Sequence, residues 1–323
     1  MEKRKLGKRQ LEVSAIGLGC MTIGKDYSEK DQEEAIKIIH KAYESGITMF
    51  DTAECYGDGK NELLVGEAIK PFREKIVLAT KCGVKFIDGH MIIDSSPKTI
   101  RKSIEGSLKR LQTDYIDLYY THRVDPDIPI ETVAQTMKEL YEEGKIRHWG
   151  ISEPSMETLR RANKIFPVTA IESEYNMMFR EPEEDIIPTL KELNIGLIPY
   201  RPLARGFLTD ASDGIYLKGA ANTRFDKDNL KANMKLKNLV MNLAKEKNCS
   251  TAQLSLAWLL SRYDQIVPIP GTSKMARMLE NRDAIKIKLT NQEITQIDSL
   301  LDEIEILGER YDPDSENGKS VRR

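Results

Sequence analysis

From end to end the chain alternates short apolar runs with amphipathic stretches, and the alternation repeats eight times. This is the pattern of βα units, in which strands pair in parallel and helices cover them. After an opening hairpin at Lys5-Leu6 and Leu11 to Val13, the predicted strands are Ser14 to Leu18, Ile47 to Phe50, Ile76 to Ala79, Ile116 to Tyr119, Arg147 to Gly150, Thr169 to Ile171, Gly196 to Pro199 and Ile266 to Ile269. Between them apolar residues recur at i, i+3 and i+4, as at Ala35, Ile38, Ile39 and Ala42, the spacing of one buried helix face. Helix starts are signalled as well. Ser96-Pro97 opens a helix to Leu111, Pro182 one to Leu193, and Ser250 precedes Thr251 to Leu260. A capping hydroxyl satisfies an amide donor that has no partner within the helix, and a first-turn proline omits one.

Eight βα units admit a closed barrel or an open doubly wound sheet. The sheet usually carries G-x-G-x-x-G after its first strand. Here Gly17 and Gly19 are followed by Thr22, and Gly57 and Gly59 by Glu62, so both near matches fail at the third glycine. The expectation is therefore a (β/α)8 TIM barrel with an N-terminal β-hairpin and extra C-terminal helices. No Gly/Ser-rich or Pro-rich linker interrupts the alternation, which makes residues 1–323 a single domain. The one long irregular stretch, Arg201 to Lys231, follows the seventh strand on the face where barrels keep their active sites.

Charge and cysteine usage exclude several function classes. The 49 basic residues nearly balance the 51 acidic ones, so no basic field is available for nucleic acid. No apolar run approaches the ~20 residues of a membrane-spanning helix. The charged start, MEKRKLGKRQ, leads into no apolar stretch, so no secretory signal is expected. Cys20, Cys55, Cys82 and Cys249 form no CxxC pair, and neither a disulfide framework nor a metal site is expected. A cytoplasmic protein follows from this pattern.

In a barrel, chemistry is carried by the C-terminal strand ends, which converge on one mouth. Strand two ends in Asp51, with Tyr56 in the loop beyond; strand three ends in Thr80-Lys81; strand four ends in Tyr120-Thr121-His122. Each residue alone has a bland reading, as a helix cap, a solvated lysine or a surface histidine. Together they form a coherent acid–base set. An ammonium lowers the pKa of a neighbouring phenol, a carboxylate holds the ammonium, and an imidazole donates to the oxygen that the phenol protonates. The set lacks a reductant or nucleophile, so a bound cofactor is expected to perform the hard step.

The residues also resemble a known family. Asp51-Thr52-Ala53-Glu54-Cys55-Tyr56-Gly57 continuing to Glu62 and Gly66, then Thr80-Lys81, His122-Arg123-Val124-Asp125-Pro126, Gly150-Ile151-Ser152-Glu153, Pro202 to Leu208, Pro268 to Thr272 and Leu279-Glu280-Asn281 are similar to the aldo-keto reductase signature, in its microbial long-chain branch. The resemblance covers nearly the whole chain. It implies a TIM barrel that binds NADPH/NADP+ without a Rossmann fold and reduces a small carbonyl substrate, with Tyr56 as acid, Lys81 and Asp51 as its tuning pair and His122 as the carbonyl orienter.

The resemblance further implies cofactor contacts from Met21 at the mouth, from Asp51, from Ser152 with Glu153 at the nicotinamide carboxamide, and from Tyr200 stacked on the nicotinamide ring. Arg201, Pro202, Leu203, Arg205 and Gly206 match the pyrophosphate-side loop. Gly271, Thr272, Ser273, Lys274 and Arg277 match the segment that grips the adenosine phosphate, with Glu280 and Asn281 near the adenine. A helix opening at Ser273 suits a phosphate through its amides and dipole. Arg224 either reaches the cofactor or is a solvated arginine.

This chain departs from the family pattern at two positions. Glu172 stands where Gln is usual, still at the cofactor, and Arg201 where Ser or Thr is usual. The substrate is expected to meet rim loops at Thr22 to Tyr27, Phe86 to Ile93, Met177 to Arg180 and Arg310-Tyr311. Two other readings use the same fold: a nicotinamide-binding sensor or auxiliary subunit like the potassium-channel β subunits, and an unrelated barrel lyase or hydrolase. The complete set of Asp51, Tyr56, Lys81 and His122 argues for turnover.

Overall fold

The computed structural model describes residues 1–24, 26, 28–210, 223–312 and 315–321. Lys25 and Tyr27 of the first rim loop, and 211–222 of the long irregular stretch, lie outside the described residues. In chain order the strands are β1 (Lys3–Leu6), β2 (Leu11–Ser14), β3 (Leu18–Gly19), β4 (Met49–Asp51), β5 (Val77–Cys82), β6 (Val84–Ile87), β7 (His90–Ile93), β8 (Ile116–Thr121), β9 (Ile146–Ser152), β10 (Ala170–Glu174) and β11 (Gly196–Tyr200). The helices are α1 (Glu29–Glu44), α2 (Lys60–Ile69), α3 (Pro97–Leu111), α4 (Ile130–Glu142), α5 (Met156–Ile165), α6 (Ile186–Leu193), α7 (Lys227–Glu246), α8 (Thr251–Leu260), α9 (Met275–Asp283), α10 (Asn291–Asp302) and α11 (Glu316–Lys319). None is long and apolar enough to cross a membrane.

Seven strands pair in parallel in the order β3-β4-β5-β8-β9-β10-β11. Residues 265–269 close the ring. Leu197 donates to the Gln265 carbonyl at 2.9 Å, Val267 donates back to Leu197 at 2.9 Å, and Gly17, on the other side, donates to the Pro268 carbonyl at 3.0 Å. Pro268 and Pro270 have no amide hydrogen, so the predicted eighth strand makes an isolated bridge at Ile266 instead of a ladder. The fold is the expected (β/α)8 barrel. At the closing seam a Cβ on Gly19 would stand 2.7 Å from the Ile269 carbonyl oxygen, and one on Gly271 would stand 2.8 Å from that of Gly19. Two backbones approach there with no room for side chains.

The barrel interior is filled by Met49, Val77, Ala79, Leu118, Tyr120, Ala170, Ile198, Val267 and Ile269, and the β1–β2 hairpin adds Leu6, Leu11 and Val13 to the same cluster. The hairpin is thus a plug. Arg4 ties it down by donating to the carbonyls of Leu260, Tyr263 and Ile266 at 2.8 to 2.9 Å. A second, larger cluster lies between sheet and helices, with Ala35, Ile38, Ile39 and Ala42 on the buried face of α1 as their spacing requires.

Several expectations shift. Ser14 ends β2 instead of opening the first barrel strand. Its hydroxyl accepts from the Thr48 amide and donates to the Ile16 carbonyl, so residues 15–17 turn the chain into the barrel and β3 is only Leu18–Gly19. The helix expected from Pro182 begins as a single tight turn at Glu181–Glu183, and α6 starts at Ile186. The irregular stretch ends at Asp226, because Lys227 to Lys231 are the first residues of α7. Phe86 to Ile93 is a β-hairpin, not a loop. Asp88 and Gly89 both have positive φ, 51° and 82°, as a two-residue Asp-Gly turn requires. The helices from Ser96-Pro97 and Ser250 form as expected, with both serine hydroxyls capping.

Interior packing yields a direct test. A Cβ at Gly150 would fall against the Tyr120 ring and 2.5 Å from the Ala170 carbonyl oxygen. Gly150→Ala is expected to destabilise the barrel by about 1–3 kcal/mol, the usual cost of overpacking. Chemical denaturation of both proteins measures it, and equal midpoints would mean that the strands separate freely at this point.

Candidate active site

The mouth is organised around Lys81, whose ammonium is fully buried. From the end of β5 it donates to Asp51, at the end of β4, and to the Thr52 carbonyl at 2.9 Å. On the other side the Glu172 carboxylate of β10 lies 3.4 Å away. One ammonium therefore joins three strands. Burial works against its charge, but Asp51 and Glu172 outweigh burial and hold its pKa well above the ordinary value. The carboxylates respond in the opposite sense. Burial raises Asp51 against the pull of Lys81, and it raises Glu172 to about 8, with the Asp51 charge adding to the shift. Asp51 Oδ2 and Glu172 Oε2 are both buried without a hydrogen-bond partner. Two carboxylates and one ammonium in a dry pocket favour retention of one proton between the carboxylates.

The first turn of α2 braces these strand ends. Asn61 accepts from the Thr52 hydroxyl at 2.7 Å and donates to the carbonyls of Cys20 and Ile23. Glu62 accepts from Thr80 at 2.7 Å and is paired with Arg110.

Tyr56 and His122 lie above this cluster. Their rings meet edge to face, with centroids 5.9 Å apart, and Lys81 Nζ lies 5.4 Å from the Tyr56 ring centre. The sequence expectation of a lowered Tyr56 pKa is corrected. Burial raises it, and Asp51 and Glu172 offset the help from Lys81. The phenol is thus a neutral donor at any working pH. His122 is neutral too, since burial, Arg123 and Lys81 all depress its pKa well below the usual value. The four side chains the sequence singled out converge on one spot.

Next to them lies a ring of buried charge whose members, Glu174 apart, the sequence had singled out, but whose pairings it did not give. Arg123 donates to Ser152 Oγ at 3.1 Å. Glu153 is held by Arg310 through two 2.8 Å bonds and accepts from the Glu174 amide. The Arg310 and Arg123 charges hold its carboxyl below the usual range despite burial. Arg201 pairs with Glu174 at 3.3 Å and not with Glu172, at a positive φ of 48°. Arg224 is 6% exposed, so it is not a solvated arginine. It donates to the Gly308 carbonyl and lies 3.9 Å from Glu174. The hydroxyls of Tyr200 and Tyr311 are 3.1 Å apart. Arg123 stands beside His122 in the motif and was legible there; Arg310 was expected only as a rim residue, and no local pattern marks its pairing with Glu153, 157 residues away.

The remaining positions form two groups. Pro202, Leu203, Arg205 and Gly206 follow β11 in a tight turn beside Arg201. Gly271, Thr272, Ser273, Lys274, Arg277, Glu280 and Asn281 lie at the start and along α9. This helix begins at Met275, two residues later than predicted, and its first turn carries no side-chain cap. Uncapped amides beside exposed Ser273 and Lys274 suit an anionic phosphate. Met21 is 54% exposed at the rim after β3. An open helix start and a strand-end acid–base cluster are donor sets that fit the phosphate and the reactive end of a phosphorylated dinucleotide.

The Glu172 proton gives the site a pH signature. Its folded value of about 8 exceeds the ordinary 4.5, so between those values the native state holds a proton that the unfolded chain has lost. The group therefore costs stability as pH rises through that window and costs nothing below it. Accordingly, the Tm of Glu172→Gln minus that of wild type should be larger at pH 8 than at pH 5 by several degrees. Scanning calorimetry at the two pH values checks this, and a constant difference would mean that Glu172 is ionised throughout.

With this geometry in place, comparisons give consistent findings. The model of the Aldo/keto reductase family matches residues 15–302. The chain is 42% identical over 318 residues to a protein of Glycine max named probable aldo-keto reductase 1, covering 95% of this chain and 91% of that one. Among solved structures it is similar to the glycerol dehydrogenase of Gluconobacter oxydans, with a TM-score of 0.85, 28% identity and 94% and 96% of the two chains covered. An aldo/keto reductase from Klebsiella pneumoniae in complex with NADP and acetate gives a TM-score of 0.76 at 28% identity, with 96% and 99% covered.

Proposed function

Because the chain belongs to the aldo-keto reductase family of oxidoreductases, we propose that it is a cytoplasmic NADPH-dependent carbonyl reductase, residues 1–323 acting as one catalytic barrel on small aldehydes or ketones. The observation that carries this reading is the convergence of Asp51, Tyr56, Lys81 and His122 at the ends of adjacent strands. The NADP complex of the Klebsiella relative supports the choice of cofactor.

When bound, the cofactor supplies the hydride; the chain supplies everything else. Ser152 and Glu153 would hold the nicotinamide carboxamide, Asp51 and Glu172 would border the nicotinamide, and Tyr200 would offer its ring to it. Arg201, Pro202, Leu203, Arg205 and Gly206 would hold the pyrophosphate side, with Met21 and Arg224 as further cofactor contacts. Gly271, Thr272, Ser273, Lys274 and Arg277 would hold the adenosine phosphate, with Glu280 and Asn281 near the adenine. His122 orients the carbonyl oxygen. Tyr56 gives its phenolic proton to that oxygen as negative charge develops there. An alkoxide is a much stronger base than a phenolate, so even a phenol with a raised pKa transfers its proton downhill. Lys81 sits below Tyr56 to stabilise the phenolate that remains.

Tyr56→Phe deletes the acid without changing the ring. It should lower kcat on a ketone by about 10²–10⁴-fold, the usual worth of general acid catalysis, while NADPH binding stays near normal. Spectrophotometric NADPH oxidation over a panel of aldehydes, ketones, quinones and sugars is the assay; activity above about a tenth of wild type would remove Tyr56 from this role.

Cofactor preference rests on the start of α9. Lys274 and Arg277 would donate to a 2′-phosphate, and charge-assisted bonds of this kind contribute about 1.5–3 kcal/mol each. Changing both to Ala should raise the Kd for NADPH by at least about tenfold and leave that for NADH nearly unchanged. Calorimetric titration measures both, and equal losses would separate these residues from the phosphate.

A further inference from the structure

His122 must present a hydrogen, not a lone pair, to a carbonyl oxygen, and a neutral imidazole has only one N–H to place. Which nitrogen carries it is set by the partner of the other. In this structure Nδ1 has a partner outside the four-residue set: Cys55 Sγ lies 3.4 Å from it. Cys55 immediately precedes Tyr56. The turn that carries both is pinned to β5 by the Glu54 amide, which donates to the Lys81 carbonyl at 3.2 Å, and by Glu54 Oε1, which accepts from the Gly83 amide at 3.0 Å. One short turn thus delivers the phenol to the site and the thiol to the back of the imidazole.

The protonation states decide the direction of the contact. Burial pushes the Cys55 thiol up to about 12, so the sulfur keeps its hydrogen, and the ring it faces is neutral. A thiol donating to an imidazole nitrogen uses the better acceptor of the pair. The reverse arrangement would set an N–H against a weak sulfur acceptor and aim the Nε2 lone pair at the carbonyl oxygen.

We propose that Cys55 is a positioning residue that donates its S–H to His122 Nδ1 and so holds the imidazole as the Nε2–H tautomer, ready to donate to the substrate carbonyl. The inference rests on the carbonyl-reductase reading for its purpose, but not for its test. Cys20 and Cys82 spend their thiols on backbone carbonyls, those of Leu18 and Tyr120, so they do not share this role.

The test is nitrogen NMR on protein labelled at its four histidines, with His122 assigned by substitution. Wild type should show His122 protonated at Nε2 and unprotonated at Nδ1. Cys55→Ser keeps a donor and should retain that signature. Cys55→Ala should populate the other tautomer and lower kcat for ketone reduction roughly 3- to 10-fold, the worth of one neutral hydrogen bond, with the NADPH Kd unchanged. A Cys55→Ala protein that keeps the pure Nε2–H signature would overturn the proposal, as would a Cys55→Ser protein displaced as far as Cys55→Ala. The tautomer is read without turnover. Failure of the wild type to reduce any carbonyl would therefore count against the functional reading and leave the tautomer result standing.

Discussion

A buried ammonium between two buried carboxylates is the constraint on which the mouth of this barrel depends. Lys81 cannot sit uncompensated in a dry interior, because an isolated charge there would cost far more than the whole net stability of a domain. Asp51 from β4 and Glu172 from β10 supply the compensation, and the Thr52 carbonyl supplies a further acceptor. The ends of β4 and β10 are thereby held to the Lys81 ammonium of β5, the first by hydrogen bonds and the second by an ion pair. The plugged, close-packed interior below gives that cluster a rigid floor, and the first turn of α2 keeps its flanking threonines in place.

The same compensation extends outward across the mouth. Glu153 and Glu174 are nearly fully buried, and each is matched by arginines from distant parts of the chain: Arg310 on the first, Arg201 and Arg224 on the second. The segment around Gly308 to Tyr311 is drawn over the barrel by these contacts and by the Tyr200–Tyr311 pair. Breaking one partner of such a pair leaves the other buried and unpaired, which costs more than the pair itself contributes. The rim is therefore specified by charge matching as much as by apolar packing.

Both departures from the family pattern acquire a physical meaning only here. Glu172 brings a titratable carboxyl to Lys81, into the acid–base cluster, where a glutamine would bring none. Arg201 does not neutralise Glu172, although the two lie at the ends of neighbouring strands; it serves Glu174, two residues further along β10 on the same face of the strand. Their separate partners follow from strand register, which pairs Glu172 with Ile198 and Glu174 with Tyr200.

Much of the architecture was legible in the amino-acid order, because hydrophobic periodicity and capping chemistry are local. Eight apolar runs, the serine caps of α3 and α8, the buried stripe of α1 and the polar residues after strands two, three and four all follow from spacing along the chain. The Asp88-Gly89 turn was also local, and its signal was present. What only the tertiary structure decided depends on residues that are far apart in sequence. These are the closure of the ring by a proline-interrupted segment, the capture of Glu172 by Lys81, the pairing of Arg310 with Glu153, and the net rise of the Tyr56 pKa. Each is an outcome of burial, and burial is a property of the assembled barrel: the free energy of a charge or a phenol is set by how much water the surrounding strands exclude, which no window of sequence contains.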